Sequence, residues 1–536
     1  MRIGRSSAAD RLVAAPAAAA LLGIAVVALV LFPLLDLVRT MIESATAGSW
    51  FDALDAEAIG NSLWTAAAAA ILASAIGVGA AFATTCRGGV RSGALRVVML
   101  LPLLVPPFVS ALAWTRAFGP GGLTDDLVGW TLPGLIGPAG IVLVLAVHAA
   151  PLVYLVAAAA LTTRARPELE WAARISGADP TAVFTRVTLP LLAPAVAGGA
   201  LLAFVVSLNS FGIPAVLGVP AGFPTITTRI FSDLARSADP AAFQRVLMLS
   251  TLLMVVVVAA VVVAERLMRR PLGETRVAAG RESMPAPGAG RRSGWVWGYL
   301  AVTTVIPLIA LGLTGLTRAA GLDPWPGNWT LGNFAEAWHG GTWGAVGRSL
   351  GLAAVAATLA TTLGLVLSLV RRDRSDGIGL AAAAAFAVPG SALAVAVLIA
   401  YGPWLRDTML IILIAYLAKF WALAHRAIAG SARIVDGDAT RAARVSGASG
   451  PATLQRVVLP MLRPALGAAW LLVFLFGLHE LTMSSLLYGP GTATLAVVTL
   501  EVQQLGDVTV TAALAVLLTV PGIVAAVLVA RRRVAS

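Results

Sequence analysis

About twelve apolar runs of some 20 residues each punctuate this chain of 536 residues, and they restrict its fold more than any other feature. A run of that length crosses the roughly 30 Å hydrocarbon core of a bilayer as a helix, the form that satisfies its own backbone groups where no water can. The first six lie at about 12–35, 61–85, 95–115, 139–162, 191–212 and 246–266. The second six lie at about 295–316, 347–370, 378–401, 408–429, 464–487 and 508–530. A composition of 59% hydrophobic and 12% charged residues agrees, being more apolar than a water-soluble fold needs.

The net charge of +12 raises the question of nucleic acid. A nucleic-acid surface needs a basic stripe with interleaved aromatics on a soluble domain. Here the arginines sit in short clusters between apolar runs, which is the positive-inside bias, so no nucleic acid is expected. Arg2, Arg5 and Arg11 precede the first span, Arg87, Arg91 and Arg96 follow the second, and Arg164, Arg166, Arg174 and Arg186 follow the fourth. Trp50, Trp130, Trp325 and Trp329 mark the opposite loops, and Arg531, Arg532 and Arg533 close the chain. Both termini are therefore expected in the cytoplasm, with the first apolar run retained as a helix, because it is too long for a signal-peptide core. Cys86, the sole cysteine, forms no intrachain disulfide.

Residues 269–294 are rich in Gly, Pro and charge and read as a linker between two halves of six spans. Six is even, so both halves enter the membrane in the same sense, as parallel repeats. The repeat is most legible in a loop written twice, PELEWAARISGADPTAVFTRVTLPLLAP from Pro167 to Pro194 and DATRAARVSGASGPATLQRVVLPMLRP from Asp438 to Pro464. The copies share Ala-Ala-Arg-x-Ser-Gly-Ala, Arg, Leu-Pro and Pro at a constant offset of 270 residues. Asn61-Ser62-Leu63 opens the second span as Arg348-Ser349-Leu350 opens the eighth. Val105-Pro106-Pro107 in the third matches Val388-Pro389-Gly390 in the ninth. Proline inside a span removes a backbone donor, so Pro106 and Pro389 are either packing kinks or bends lining a path.

Each loop copy reads as a short helix, a glycine stop at Gly177 or Gly447, a second short helix, and a Leu-Pro stop. Asp179 is placed to cap the second helix of the first copy. Ala172, Ala173, Ala178, Ala442, Ala443 and Ala448 keep the side chains small, so another protein's surface can approach the backbone. An interfacial helix on lipid headgroups is the bland alternative, but it does not require Gly and Ala at fixed positions in two copies.

These loops resemble the EAA motif of type I ATP-binding-cassette (ABC) importer permeases. Ala172, Ala173, Gly177, Leu189 and Pro190 match its pattern, as do Ala442, Ala443, Gly447, Leu459 and Pro460. Trp171 and Arg441 replace the motif glutamate, and Glu170 stands one residue early in the first copy only. The resemblance implies coupling helices that dock on two copies of an ABC ATPase subunit, with a separate extracytoplasmic solute-binding protein. Two halves fused in one chain resemble the iron(III) and thiamine importers most. The stretch from Phe223 to Ile230 also resembles that branch, which includes the spermidine/putrescine permeases. Residues 1–57 then form an N-terminal helix and extracytoplasmic loop, 58–266 the first transmembrane domain, and 267–293 the linker. Residues 294–343 form a linking helix and extracytoplasmic loop, 344–530 the second transmembrane domain, and 531–536 a cytoplasmic tail. The expected fold is all-α, with about 12 transmembrane helices in two parallel six-helix repeats.

A Walker A loop needs Gly-Lys before Ser or Thr, and the sole lysine stands in Ala418-Lys419-Phe420. The chain therefore reads as a transport subunit and not an enzyme, with no cofactor of its own and ATP on the partner subunit. Ionisable residues within spans are costly and count as functional by default: His148, Lys419, His425, His479 and Glu480. His479-Glu480, whose repeat counterparts are Asn209-Ser210, is either a polar packing contact or part of a translocation path. A major-facilitator secondary transporter is the rival from another class. It expects a charged signature after the second span, where Cys86-Arg87-Gly88-Gly89-Val90-Arg91 offers no acid. An intramembrane enzyme would want paired acids or a metal set, which four scattered histidines do not supply.

Overall fold

The computed structural model describes residues 27–44, 55–85, 95, 98–163, 167–239, 241–269, 294–339, 341–370, 382, 385–435 and 438–535. Residues 12–26, Arg2, Arg5 and Arg11, Trp50, Cys86 with Arg87, Arg91 and Arg96, Arg164 and Arg166, and the expected linker from 270 to 293 lie outside them. The regular structure of the described residues is helical, with turns and loops between the helices and one isolated antiparallel bridge between Thr317 and Trp329.

Two compact units divide the chain, and neither is one continuous half of it. One comprises Asp55–Ser232, Val255–Trp338 and Glu501–Ser536; the other comprises Met1–Leu54, Asp233–Met254 and His339–Leu500. Each joins the middle helices of one repeat to the first helix and part or all of the last helix of the other.

In the unit holding the first repeat, α1 (Phe32–Ser44) is absent, and the core is α2 (Ala56–Thr85), α6 (Pro138–Thr163) and α9 (Leu189–Leu208), packed pairwise. Between α2 and α6 the third span is split into α3 (Leu101–Leu104) and α4 (Pro107–Phe118), with α5 (Leu123–Val128) after it. The coupling-type loop supplies α7 (Pro167–Ile175) and α8 (Pro180–Val183), and α10 (Gly212–Leu217) and α11 (Ile226–Arg236) follow α9. The last helix of the repeat is α12 (Ala242–Arg269). From the other repeat come α13 (Gly294–Leu300), α14 (Ile306–Leu316) and α15 (Gly332–His339). α14 packs on α4 and on the chain's last helix, and Trp114 Nε1 donates to the Thr303 carbonyl at 3.2 Å.

The unit holding the second repeat has the same plan: α16 (Thr342–Val370), α18 (Met409–Val435) and α21 (Leu459–Leu478) form its core, with α17 (Gly390–Leu405) beside them. α19 (Asp438–Val445), α20 (Gly450–Thr453), α22 (Thr482–Leu487) and α23 (Leu495–Gln504) complete the repeat up to the last helix, α24 (Val508–Ala535). Here α1 packs on α17, its Phe32 ring 6.0 Å from that of Tyr401.

Small residues allow the core helices to approach closely, as they do where lipid offers no hydrophobic drive between helices. A Cβ at Gly77 of α2 would lie 2.7 Å from the Ala150 carbonyl of α6, and a Cβ at Gly364 of α16 would lie 2.7 Å from the His425 amide of α18. The paired openings of the second and eighth spans share one task. Ser62 Oγ accepts from the Ile226 amide and Ser349 Oγ from the Leu495 amide, both at 2.7 Å, which ties the first turns of α11 and α23 to the cores.

Among the described residues, eight helices are long and apolar enough to cross a membrane, and α17 and α24 contribute shorter apolar stretches. The rest of the twelve-span expectation differs at five places. The third span breaks at Pro106 and the ninth at Pro389, which leaves α4 and α17 shorter than a full crossing. The fifth span ends at Leu208 and not 212, and the eleventh at Leu478 and not 487, where a second short helix begins after a non-helical step. Just past the eleventh span's end, the Glu480 Oε1 accepts from the Met483 amide at 2.9 Å and holds the first turn of α22, whose N-cap is Leu481. At the first span the described helix runs on past 35 to Ser44, carried by an Arg39–Glu43 ion pair at 2.7 Å.

Candidate functional site

The repeated loop folds alike in both copies. α7 ends in a Schellman turn, with the Gly177 amide on the Arg174 carbonyl and the Ala178 amide on the Ala173 carbonyl, both at 3.0 Å. α19 ends the same way, the Gly447 amide reaching Arg444 at 2.9 Å and the Ala448 amide reaching Ala443 at 3.0 Å. The turn places Gly177 at φ +86° and Gly447 at φ +80°, where a side chain costs about 1–2 kcal/mol. Asp179 Oδ1 then accepts from the Ala182 amide at 2.6 Å, and Ser449 Oγ from the Ala452 amide at 3.4 Å, capping α8 and α20. Each short helix opens into a π-helical turn, Phe184–Thr188 or Leu454–Val458, just before Leu189-Pro190 or Leu459-Pro460. Proline has no amide to give the preceding turn, and the wider turn absorbs the missing bond.

What the loops present was only partly visible in the sequence. Ala172 and Ala442 are exposed, and Ala173, Ala178, Ala443 and Ala448 are partly buried. The most exposed large apolar side chains on the loops are Ile175 at 85% and Val445 at 91%, at equivalent positions just before the turn. A branched apolar side chain held bare at the same place in two copies is the feature that sequence reading passed over. An offset of 270 residues between apolar residues beside a glycine stop was the signal for it.

The two loops differ in their acid position. Glu170 turns inward, its Oε1 accepting from the buried Thr188 hydroxyl at 2.7 Å, and so ties α7 to the π-helical turn behind it. The second copy holds Thr440 and Val458 at these positions, both buried. Trp171, in the place of the motif glutamate, is 54% exposed, and Arg441 is exposed as well.

The path candidates gather at the helix breaks, one pair of breaks in each unit. Pro106 (φ −55°, ψ 137°) caps α4 and Pro389 (φ −57°, ψ 137°) caps α17, so both spans are fully interrupted and not kinked. In one unit Asn209 ends α9 at a second break, and α10, which follows it, packs on α4 so tightly that a Cβ at Gly212 would lie 2.7 Å from that of Phe108. In the other, His479 ends α21 and Glu480 holds the first turn of α22, whose Thr482 and Met483 lie against Gly390. Pro106 is thus brought to the break at Asn209, and Pro389 to the break at His479 and Glu480. Tyr416 of α18 secures the latter, its hydroxyl 2.7 Å from Ser484 Oγ.

The close contacts at Gly77 and Gly364 make Tyr154 of α6 the repeat counterpart of His425 of α18, and so His148 the counterpart of Lys419. His148 bonds the backbone at Pro102, ahead of the first break, and Lys419 Nζ lies 3.1 Å from where Gly390 would carry a Cβ. A basic side chain therefore stands beside the proline break in each repeat. His425 serves helix packing, its Nδ1 3.0 Å from Ser368 Oγ.

The family of binding-protein-dependent transport system inner membrane components matches residues 73–270. The molybdenum transport system permease protein of Mycobacterium bovis is 36% identical over 183 residues, covering 34% of this chain and 69% of that protein. The chain belongs to this family. A putative ferric transport system permease protein of Haemophilus influenzae is 24% identical over 453 residues, covering 80% of this chain and 70% of its own. The putrescine transport system permease protein of Escherichia coli is 31% identical over 174 residues, covering 30% of this chain and 62% of its own. The protein is a multi-pass ABC permease subunit, a transport component and not an enzyme, of the fused size seen in the ferric relatives. Membership of this family leaves the major-facilitator alternative without support.

Proposed function

We propose that this chain is the translocation subunit of an ABC importer, moved by two copies of a separate ATPase that dock on the loops around Gly177 and Gly447. The observation that carries the reading is the pair of matched Schellman turns presenting bare apolar tips, Ile175 and Val445. Burying each tip in a partner's groove contributes about 1.5–3 kcal/mol, and Ala172, Ala173, Ala178, Ala442, Ala443 and Ala448 let that partner reach the backbone. Glu170 acts as an internal brace of the first loop. The two permease domains run over 58–266 and 344–530, in the inner membrane with both termini cytoplasmic. Alternating access arises where Pro106, Asn209, Pro389, His479 and Glu480 interrupt their helices.

The solute, delivered by an extracytoplasmic binding protein, is iron(III) in this reading. Its support is that ferric relatives align across about four-fifths of the chain and so across both repeats, whereas the molybdenum and putrescine relatives align with about a third. Thiamine and the polyamines are the competing cargoes. Copurification of the membrane protein with its native partners tests the coupling: an ATP-hydrolysing subunit is expected to accompany it, and none doing so overturns the reading. Uptake of labelled iron(III), molybdate, thiamine and putrescine by cells with and without the chain tests the cargo.

A further inference from the structure

A cavity of about 180 Å³ lies in the unit holding the first repeat, at the end away from its docking loop. Ile136, just ahead of α6, lines it, whereas α7 follows the other end of α6. The 26 residues of that helix span about 39 Å at 1.5 Å per residue. Leu112, Val216 and Leu311 make apolar walls. Arg116, at the last turn of α4, is the cation among the lining residues.

The guanidinium is partly buried, and among the described residues no carboxylate lies within ion-pair distance of it. A buried cation is normally paired, because low-dielectric walls give it nothing in exchange for its lost water. The acid that shares the cavity, Asp507, is already engaged: its Oδ1 accepts from the Val510 amide at 3.0 Å and the Thr509 hydroxyl at 3.3 Å, capping α24. The hydroxyls of Thr115 and Thr511 donate to the carbonyls of Leu112 and Asp507. Arg116 and the Gln503 amide are left as the side-chain donors lining the cavity whose hydrogen bonds are not spent within the described residues. A second acid, Asp126, lines with Arg116 a separate void of about 30 Å³, the size of a single water, and lies beyond ion-pair distance.

We propose that this cavity is a binding subsite for a compact oxyanion, held in fork geometry by Arg116 with Gln503 as second donor. A phospholipid headgroup carries the same chemistry, and the test separates the two sources. The thermal midpoint of the full chain in detergent is measured against sodium molybdate, sulfate and phosphate at ionic strength held constant with sodium chloride. At least one of these anions is expected to raise the wild-type midpoint saturably, with at least a tenfold weaker apparent affinity in Arg116→Gln. Comparing variants in the same salt removes the general effect of such anions on folded proteins. Leu112→Trp fills the cavity while keeping the charge, and is expected to weaken the response likewise; it stands as the test if Arg116→Gln does not fold. A saturable response equal in wild type and both variants overturns the proposal. So does a wild type that responds to phosphatidylglycerol but to none of the free anions. The measurement needs no ATPase, so its failure and that of the importer reading are distinguishable.

Discussion

Replacing Gly177 and Gly447 separates what the turn costs from what the partner needs. Both residues sit at positive φ, +86° and +80°, and no atom lies within 4 Å of a Cβ built at either. Alanine there meets no steric obstacle and costs only the left-handed strain, about 1–2 kcal/mol per site. That is roughly a tenfold change in the population of each turn. Arginine imposes the same backbone strain, and its long side chain then stands in the open space before the loop. The paired Gly177→Ala, Gly447→Ala chain is therefore the control for the paired Gly177→Arg, Gly447→Arg chain. ATPase affinity, titrated on detergent-purified chains that elute as wild type does, is expected to fall about tenfold per strained turn in the alanine pair. The arginine pair should lose about a further hundredfold, some 2.8 kcal/mol, and with it all transport. Equal affinities for the two pairs would refute the claim that a partner closes on this surface.

Ile175→Ser with Val445→Ser is expected to weaken the same affinity by about 1.5–3 kcal/mol per tip, without moving the thermal midpoint of the isolated chain. Gly364→Ala forces α16 off the His425 amide, which lies 2.7 Å from the new methyl, and should lower stability by about 1–3 kcal/mol in thermal unfolding. Glu480→Ala removes the side-chain bond that holds the first turn of α22 and should cost about 0.5–2 kcal/mol, with Glu480→Asn recovering part of it. At Asp126, in the loop helix α5, burial first and then the charges of Asp323 and Asp125 raise the carboxyl above its ordinary value. A raised acid favours the fold below its unfolded pKa and loses that contribution as pH rises through the folded value. Asp126→Asn should therefore unfold at a slightly higher temperature near pH 7, and the advantage should vanish on acidification to about pH 4.

Local signals survived the passage from sequence to structure better than pairing did. The Schellman turns, the Asp179 cap and the proline interruptions depend on a few neighbouring residues, and each is legible from Gly, Asp or Pro at a fixed offset. The exchange of first helices between repeats is not, because nothing in the order of residues names a partner for the amphipathic α1 or for the apolar α14. The breaks after Leu208 and Leu478 were hidden for a related reason. Hydropathy runs on past them, and the breaks show only in the backbone, where Asn209 and His479 end their helices and Glu480 bonds the Met483 amide three residues on. Glu170 misled in the opposite sense, since an acid near a docking motif suggests an outward contact and Thr188, eighteen residues later, draws it in.

The most direct test of the docking claim is cross-linking from the loop tips. With Cys86 changed to serine, single cysteines at Ile175 and at Val445 would be joined to the copurified ATPase by a short bifunctional reagent. The account predicts a cross-link to the nucleotide-binding subunit from each position, lost when the cysteine is moved to Asp126 at the far end of the first-repeat unit. Cross-links from Asp126 but from neither tip would contradict it.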